Sequence, residues 1–209
     1  MKQLVIYIGV IVLIAGGIFG LSKLDNASQK SSPVLPAVLS AKDVAIGNKQ
    51  AKVIIIEYSD FQCPACASYN DMVNQLLKDY DEKILVVYRF FPLRQHKNAF
   101  LASQAAYAAS LQGKFKEMKD QLFEHQNDWT EEDNARDIFI EYAKTIGLDS
   151  DKFQKDMDSN ETKKIISDSE NSALSLGINS TPTFFINDTQ QIFGTYEELK
   201  QLIDKSLQY

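Results

Sequence analysis

Residues 53–66 read VIIIEYSDFQCPAC, an aliphatic run that leads into Cys63-Pro64-Ala65-Cys66, and these two cysteines are the only ones in the chain's 209 residues. Two thiols separated by two residues at the start of a helix can close a small disulfide that opens and re-forms readily. Such a pair, placed just after a predicted strand, is typical of a redox-active site. The pattern therefore predicts that Cys63 and Cys66 exchange disulfides with other thiols.

The competing interpretation of a Cys-x-x-Cys pair is one half of a zinc site. A zinc site needs two further ligands, and the only histidines of the chain, His96 and His125, do not stand in a paired spacing. We therefore expect both histidines to be exposed or helix-capping groups. We expect no metal at the cysteines and no other cofactor.

The amino-terminal segment sets the cellular compartment. Residues 4–21 form an uncharged, mostly aliphatic stretch between Lys2 and Lys23, long enough for a helix to cross the hydrocarbon core of a membrane. A secretory signal peptide is the alternative, since it also has a basic start and an apolar middle. The stretch is longer than the usual signal-peptide core, and no clear cleavage site follows it, which favours a retained anchor. In both cases the rest of the chain is exported.

The composition indicates one exported domain on a tether. We assign residues 1–24 to the transmembrane anchor or signal, residues 25–46 to a polar linker and residues 47–209 to a single extracytoplasmic domain. The net charge is −6 and no cluster of basic residues is present, which argues against nucleic acid as a partner. A single cysteine pair in an exported protein cannot be part of a set of structural disulfides, so we expect its disulfide to be formed and reduced during function.

Hydrophobic periodicity predicts an α/β domain with a helical insertion. Apolar strands at residues 53–58 and 84–91 flank a helix, so the two strands should be parallel. The pattern is then helical from about residue 98 to 177. Two short strands within residues 183–193 and a final helix at 196–207 complete the domain. The order β-α-β, helical block, β-β-α makes the block an insertion between two halves of one sheet.

The apolar stripe of the first helix distinguishes the two cysteines. The stripe passes through Tyr69, Val73 and Leu76 at helical spacing. Extended backwards it reaches Cys66 but not Cys63. We therefore predict that Cys66 is buried and that Cys63 is exposed at the helix start, the asymmetry that a resolving thiol and a nucleophile require.

Cys63 is expected to be the reactive sulfur. At a helix amino terminus the unpaired N–H groups and the helix dipole stabilise a thiolate. Pro64 fits the preference for proline in the first turn. A stabilised thiolate is a good leaving group, which makes a disulfide more oxidising. Ala65 offers neither charge nor a side-chain donor, so it should stabilise the thiolate less than a histidine at that position.

Glu57 is the second candidate, because a carboxylate at the end of an aliphatic strand is costly to bury. Burial should raise its pKa. Six residues before Cys63, it can lie beneath Cys66 and move that sulfur's proton. The alternative is a solvated glutamate at the edge of the sheet.

The segment from Glu57 to Cys66 closely resembles the active-site segment of DsbA-like thiol:disulfide oxidoreductases in the thioredoxin superfamily. Two further segments resemble this family in the same order. Residues 89–93 (RFFPL), His96 and the alanine-rich residues 102–109 resemble its second strand and first inserted helix, and residues 177–185 (GINSTPTFF) resemble its cis-proline loop. The resemblance runs from about residue 45 to the end of the chain.

The resemblance implies a thioredoxin fold with a helical insertion, located outside the cytoplasm. It implies that Cys63 is the nucleophile, Cys66 its partner and Glu57 a buried acid. It further implies a cis Pro182 beside the disulfide, where the Thr181 main chain can pair with a substrate peptide. The departure is Ala65, where the best-known oxidase of the family carries histidine, and this bears on oxidising strength.

We therefore expect a membrane-tethered enzyme that oxidises cysteine pairs in exported proteins and is itself reoxidised by a membrane redox partner. The same fold can work in reverse as a reductase or isomerase, because the direction depends on the reduction potential. A different class of function is also possible from the sequence: a non-enzymatic binding or chaperone domain in which the disulfide is static. Asn179-Ser180-Thr181 matches the N-glycosylation pattern. A glycan there would crowd the site, which favours a bacterial origin.

Overall fold

The computed structural model describes residues 42–208. The expected anchor at residues 1–24 and nearly all of the expected linker lie outside this part of the chain. Within residues 42–208, no helix combines the length and the apolar character that crossing a membrane requires.

The secondary structure follows the order β-β-α-β, five inserted helices, then β-β-α. The strands of the described residues are β1 (Val44–Gly47), β2 (Val53–Ser59), β3 (Ile84–Phe90), β4 (Thr183–Ile186) and β5 (Thr189–Gln191). The helices are α1 (Pro64–Tyr80), α2 (Ala99–Ser110), α3 (Phe115–Glu124), α4 (Ala135–Thr145), α5 (Ser150–Asp158), α6 (Asn160–Ser175) and α7 (Tyr196–Leu207). Short 3₁₀ turns span Asp81–Lys83 and Gln126–Asp128. The predicted insertion of helices between two halves of the sheet is confirmed.

The strands form one sheet in the order β1-β3-β2-β4-β5. β2 and β3 run parallel, as predicted from the strand–helix–strand pattern, and the other neighbouring strands pair antiparallel. β2 therefore lies at the centre with partners on both sides. This explains why its residues are buried almost without interruption.

The two faces of β2 enter different cores, because successive side chains of a strand point to opposite faces. Val53 and Ile55 belong to the larger core, which also contains Cys66 and the inserted helices. Ile56 and Tyr58 belong to the smaller core on the other face. By the same alternation, Glu57 shares the face of Val53 and Ile55, so a carboxylate lies on the face that carries the cysteines.

Helix α1 begins at the carboxyl end of β2. Cys63 is its N-cap residue, with extended backbone angles (φ −75°, ψ 122°), and Pro64 is the first helical residue. Proline suits this place because its missing N–H has no intrahelical partner there. The cysteine pair thus lies at a helix start directly above the central strand.

The sheet extends further towards the amino terminus than the sequence indicated. Val44–Gly47 pairs antiparallel with β3, so residues 44–46, predicted as part of the linker, belong instead to the edge strand β1. Val44 is buried against the core. Gly47 ends the strand with φ +110°, and a Cβ atom there would lie 2.5 Å from the Ile84 carbonyl oxygen. Only glycine can make this approach.

A second feature that differs from local sequence preference is the acidic run at residues 131–133, since acidic residues favour the first turn of a helix. These residues lie in a turn, and α4 begins only at Ala135. The turn forms because Asn98 donates hydrogen bonds to the carbonyl oxygens of Thr130 at 3.1 Å and Glu132 at 2.9 Å. A tertiary contact therefore overrides the local preference of acidic residues for a first helical turn.

Candidate active site

The turn between β2 and α1 is built around Asp60. Its carbonyl oxygen accepts a hydrogen bond from the Cys63 N–H at 3.1 Å. Its own N–H donates to Cys66 Sγ at 3.5 Å. Its side chain accepts from the Gln62 N–H at 2.7 Å, an Asx turn that fixes the loop locally. The turn therefore contacts both cysteines through one residue.

The two cysteines are free thiols, and both are buried. Cys66 is 0% exposed, as predicted, but Cys63 is only 8% exposed, so the prediction of an exposed Cys63 is wrong. Cys63 Sγ lies 3.6 Å from the Thr181 carbonyl oxygen. Gln126 donates to the Cys63 carbonyl oxygen at 3.1 Å. The loop before β4 and the inserted helices thus cover a residue that the periodicity of α1 alone placed in solvent.

The two sulfurs titrate in opposite directions. The pKa of Cys63 is lowered to about 5, chiefly because the Cys66 thiol donates to its sulfur. Burial opposes this shift, while the Thr181 side chain and the main-chain N–H groups of Ala65 and Cys66 add to it. The pKa of Cys66 is raised far above its ordinary value, first by burial, then by Cys63 and by the charge of Glu57. At neutral pH the pair is therefore a thiolate at Cys63 and a thiol at Cys66.

Glu57 lies on the central strand and is 2% exposed, which rules out a solvated sheet edge. In the sheet it is paired with Tyr88 of β3 and Phe184 of β4. Burial raises the pKa of Glu57 to about 7, against smaller opposing effects of Ser59 and Lys119. Glu57 lies on the face of β2 that enters the core containing Cys66, and its charge raises the pKa of Cys66. The carboxyl group can therefore hold or release a proton near neutral pH beside the buried thiol.

The loop before β4 supplies the remaining predicted residues. The Thr181–Pro182 peptide bond is cis, as the family resemblance implies. Thr181 faces the active sulfur through its carbonyl oxygen. Pro64 and Ala65 are exposed at the start of α1. The structure thus brings five predicted residues together around Cys63, with Glu57 beneath them: Pro64, Ala65, Cys66, Thr181 and Pro182.

The two histidines have different acidic neighbours. His125 follows α3, with 45% of its side chain exposed, and lies 3.4 Å from the Asp128 carboxylate. His96 is largely covered, with 20% of its side chain exposed, and its Nδ1 lies 2.6 Å from the Asp60 carboxylate. Among residues 42–208, no group of three or more histidine, cysteine and acidic side chains is arranged to hold a metal.

Sequence reasoning missed the residues through which the insertion holds the active-site turn. The side-chain amide of Gln126 donates to the carbonyl oxygens of Phe61 at 2.8 Å and of Cys63. Gln62 accepts from the Asn98 N–H at 2.7 Å and donates to the Thr130 carbonyl oxygen at 3.1 Å. Glutamines in polar segments carry no sequence signal for such contacts, because the contacts arise only when the insertion packs on the turn.

A buried lysine was also missed. Lys119 of α3 is 0% exposed. Nothing in the sequence around it distinguishes it from an ordinary surface lysine of a helix. Its ammonium group donates to Asn70 of α1 and to Asp120 at 2.8 Å, and it lies 5.7 Å from the centre of the Tyr88 ring. Burial lowers its pKa, and Asp120 opposes that shift. A positive charge therefore lies within the core that also contains Glu57.

A sequence-family model described as thioredoxin matches residues 39–205 of the chain. The match covers most of the sequence, so the chain belongs to the thioredoxin family. Its fold is that of DsbA-like thiol-disulfide oxidoreductases. The structure resembles oxidised BdbD from Bacillus subtilis with a TM-score of 0.75 and 22% identity, over 86% of this chain and 100% of the other.

Two further comparisons extend this picture. The structure of α-DsbA1 from Wolbachia pipientis matches with a TM-score of 0.74 and 20% identity, over 82% of this chain and 94% of the other. Among curated proteins, the chain is similar to the Na⁺/H⁺ antiporter NhaA 1 of Mycolicibacterium vanbaalenii, with 36% identity over 149 residues. That match covers 70% of this chain and 23% of the antiporter, so the chain spans about a quarter of that relative's length.

Proposed function

We propose, from its membership of the thioredoxin family, that the chain is an extracytoplasmic thiol:disulfide oxidoreductase that introduces disulfides into exported proteins. The observation that carries the proposal is the opposite titration of Cys63 and Cys66 above a buried acid. A thiol pair used only as a structural link needs no such difference between its sulfurs. Perturbed pKa values of this kind are concentrated at sites of chemistry.

The first step starts from the oxidised enzyme. A substrate thiolate attacks Cys63 Sγ, the Cys63–Cys66 bond breaks, and the electron pair passes to Cys66. Glu57 is protonated in part of the molecules near pH 7, because its pKa is about 7, and can give the Cys66 sulfur its proton. The product is a mixed disulfide between the substrate and Cys63.

The second step releases the substrate. A second substrate thiolate attacks the substrate sulfur of the mixed disulfide, a disulfide forms in the substrate, and Cys63 leaves as a thiolate. The substrate has lost two electrons and the enzyme has gained them. The low pKa of Cys63 makes it a good leaving group in this step.

The same feature supports one direction of electron flow. A stabilised thiolate favours the reduced form of the enzyme and so makes its disulfide more oxidising. This supports the oxidase. The second candidate is a reductase or isomerase of the same fold. Ala65, which lies between the two cysteines, favours this candidate because its side chain cannot donate a hydrogen bond to the Cys63 thiolate.

The proposal includes residues outside the described part of the chain. Residues 4–21 serve as a membrane anchor that holds the domain on the outer side, and a membrane protein reoxidises the cysteine pair. Labelling of Lys42 or Lys49 by a membrane-impermeant reagent in intact cells tests the orientation. Protection of these lysines until the membrane is opened contradicts it.

The decisive experiment is the reduction potential of the Cys63–Cys66 pair, measured by equilibrating the full chain with glutathione. A value near about −120 mV, where strong oxidants of this superfamily lie, supports the oxidase. A value near about −270 mV, the thioredoxin end of the scale, shows that the protein donates electrons. A pair that does not exchange with glutathione at all contradicts both and indicates a static link.

A further inference from the structure

The steps proposed above do not use the buried side chain of Asp60. The Asp60 side chain is 0% exposed, in the turn that connects β2 to α1. Its carboxylate accepts three hydrogen bonds, from the Gln62 N–H at 2.7 Å, from the Leu93 N–H at 2.8 Å and from His96 Nδ1 at 2.6 Å. Buried carboxylates are tolerated only when their oxygens are satisfied in this way. The donors come from two separate segments of the chain.

His96 belongs to the connection between β3 and α2. A carboxylate can only accept, so Nδ1 of His96 carries the proton that is shared with Asp60. The main-chain N–H of His96 donates to the Leu93 carbonyl oxygen at 2.9 Å, which holds this residue in place. The imidazole is mostly covered and closes one side of the Asp60 carboxylate.

The main chain of Asp60 links this pair to the reacting atoms. Its N–H points at Cys66 Sγ at 3.5 Å, and its carbonyl oxygen accepts from the Cys63 N–H. Cys66 is fully buried, so water cannot stabilise a charge on its sulfur. The Asp60 N–H is a donor already in place for such a charge.

We propose that the Asp60–His96 pair is a positioning device that holds the Asp60 N–H against Cys66 while that sulfur acts as a leaving group. The proposal rests on the exchange chemistry proposed above. When a thiolate attacks Cys63, the electron pair of the breaking Cys63–Cys66 bond moves onto Cys66. The N–H stabilises this developing charge until the sulfur is protonated.

This role predicts an effect on rate rather than on equilibrium. A hydrogen bond to a charged acceptor is about twice as strong as one to a neutral acceptor, and a thiol or disulfide sulfur accepts only weakly. The Asp60 N–H therefore stabilises the transition state more than either the oxidised or the reduced enzyme. Both directions of exchange depend on it, while the reduction potential does not.

The test compares three variants of the full chain. His96→Phe keeps a ring but removes the donor to Asp60, whereas His96→Asn keeps an N–H donor close to the place of Nδ1. His125→Phe is the matched change at the other histidine. For each variant we measure the rate of reduction by dithiothreitol, the rate of reoxidation by oxidised glutathione, the reduction potential and the rate of alkylation of Cys63.

We expect His96→Phe to slow reduction and reoxidation together by about three- to tenfold, the effect of one misplaced hydrogen bond. The reduction potential and the alkylation of Cys63 should stay at wild-type values. His96→Asn should recover most of the rate, and His125→Phe should change nothing. Unchanged exchange rates in His96→Phe, or an equal loss of Cys63 alkylation, overturn the proposal.

The outcome is separable from that of the proposed function. If the wild-type chain exchanges disulfides and His96→Phe does so at the same rate, the function stands and the positioning role falls. If the wild-type pair does not exchange, the function itself has failed. Should His96→Phe not fold, His96→Gln, which moves the amide donor by one bond, takes its place under the same criteria.

Discussion

The two faces of the central strand β2 are both largely buried but are used differently. On one face, Ile56 and Tyr58 pack in an apolar core with Phe185. On the other face, Glu57 lies in a core that also contains Cys66. A carboxylate buried there costs free energy that an aliphatic residue would not. Because successive side chains of a strand point to opposite faces, neighbouring residues of β2 can serve stability on one face and chemistry on the other.

The strongest change should come from substituting a cysteine on the reactive face, and it should affect activity alone. Cys63→Ser should remove dithiol oxidation completely, since no other sulfur can be attacked from outside. Cys66→Ser should lose the activity as well, because Cys63 alone cannot form the enzyme disulfide that a substrate thiolate attacks. The measurement is oxidation of a reduced peptide with two cysteines, with urea unfolding of each reduced variant as the control. Retained oxidation in Cys63→Ser contradicts the mechanism.

The apolar face should show the reverse behaviour. Ile56 is 0% exposed, and Ile56→Ala removes buried methyl groups, so the free energy of unfolding should fall by about 2–5 kcal/mol. The exchange rate per folded molecule should not change. Urea unfolding and the peptide assay, both at a temperature where the variant is folded, check the two statements. A slower exchange at full folding would show that the two faces are coupled.

Glu57→Gln should stabilise the protein in a pH-dependent manner. The carboxyl group has an ordinary pKa of 4.5 and a folded pKa of about 7. Between these values the folded chain holds a proton that the unfolded chain releases, so stability falls as the pH rises through this window. The variant does not titrate, so it should exceed the wild type by about 3 kcal/mol above pH 7 and by little near pH 4.

Urea unfolding of the wild type and of Glu57→Gln at a series of pH values measures this difference. Asp71, an acid on α1 for which no such burial exists, provides the control substitution Asp71→Asn. Two parallel stability curves for the wild type and Glu57→Gln would show that the carboxyl group is not perturbed in the folded chain.

The smallest effect is expected where neither face of β2 is involved. Thr195 and Glu198 form a capping box at the start of α7, each side chain bonding the other's main-chain N–H. Thr195→Ala should lower the free energy of unfolding by about 1 kcal/mol, without a change in exchange rate. Thr189→Ala, at an exposed position of β5, is the control. A loss of exchange in Thr195→Ala would mean that α7 supports the site.

The sequence was sufficient for the parts of the fold that local pattern determines. The aliphatic run of β2, the stripe of α1 and the cysteine spacing predicted the central sheet and the place of the site. The burial of Glu57 and its raised pKa also followed from its position in an apolar strand. In each case, a residue and its near neighbours in sequence carry the information.

The parts that could not be predicted depend on contacts between distant segments. Cys63 is covered because Thr181 and the insertion close over it. Gln126 and His96 acquire their partners only when their segments pack against the turn. β1 was hidden because four residues at a sheet edge are too few to show alternation. Tertiary contacts, rather than residue preferences, determine these features.

The opposite titration of the two sulfurs also sets the proton count of the redox reaction. At neutral pH, reduction yields a thiolate at Cys63 and a thiol at Cys66, so two electrons enter with one proton. An ordinary dithiol takes up two protons. The potential of this pair should thus fall by about 30 mV per pH unit, half the slope of an ordinary dithiol. As the surroundings become more alkaline, the enzyme gains oxidising power relative to its substrates.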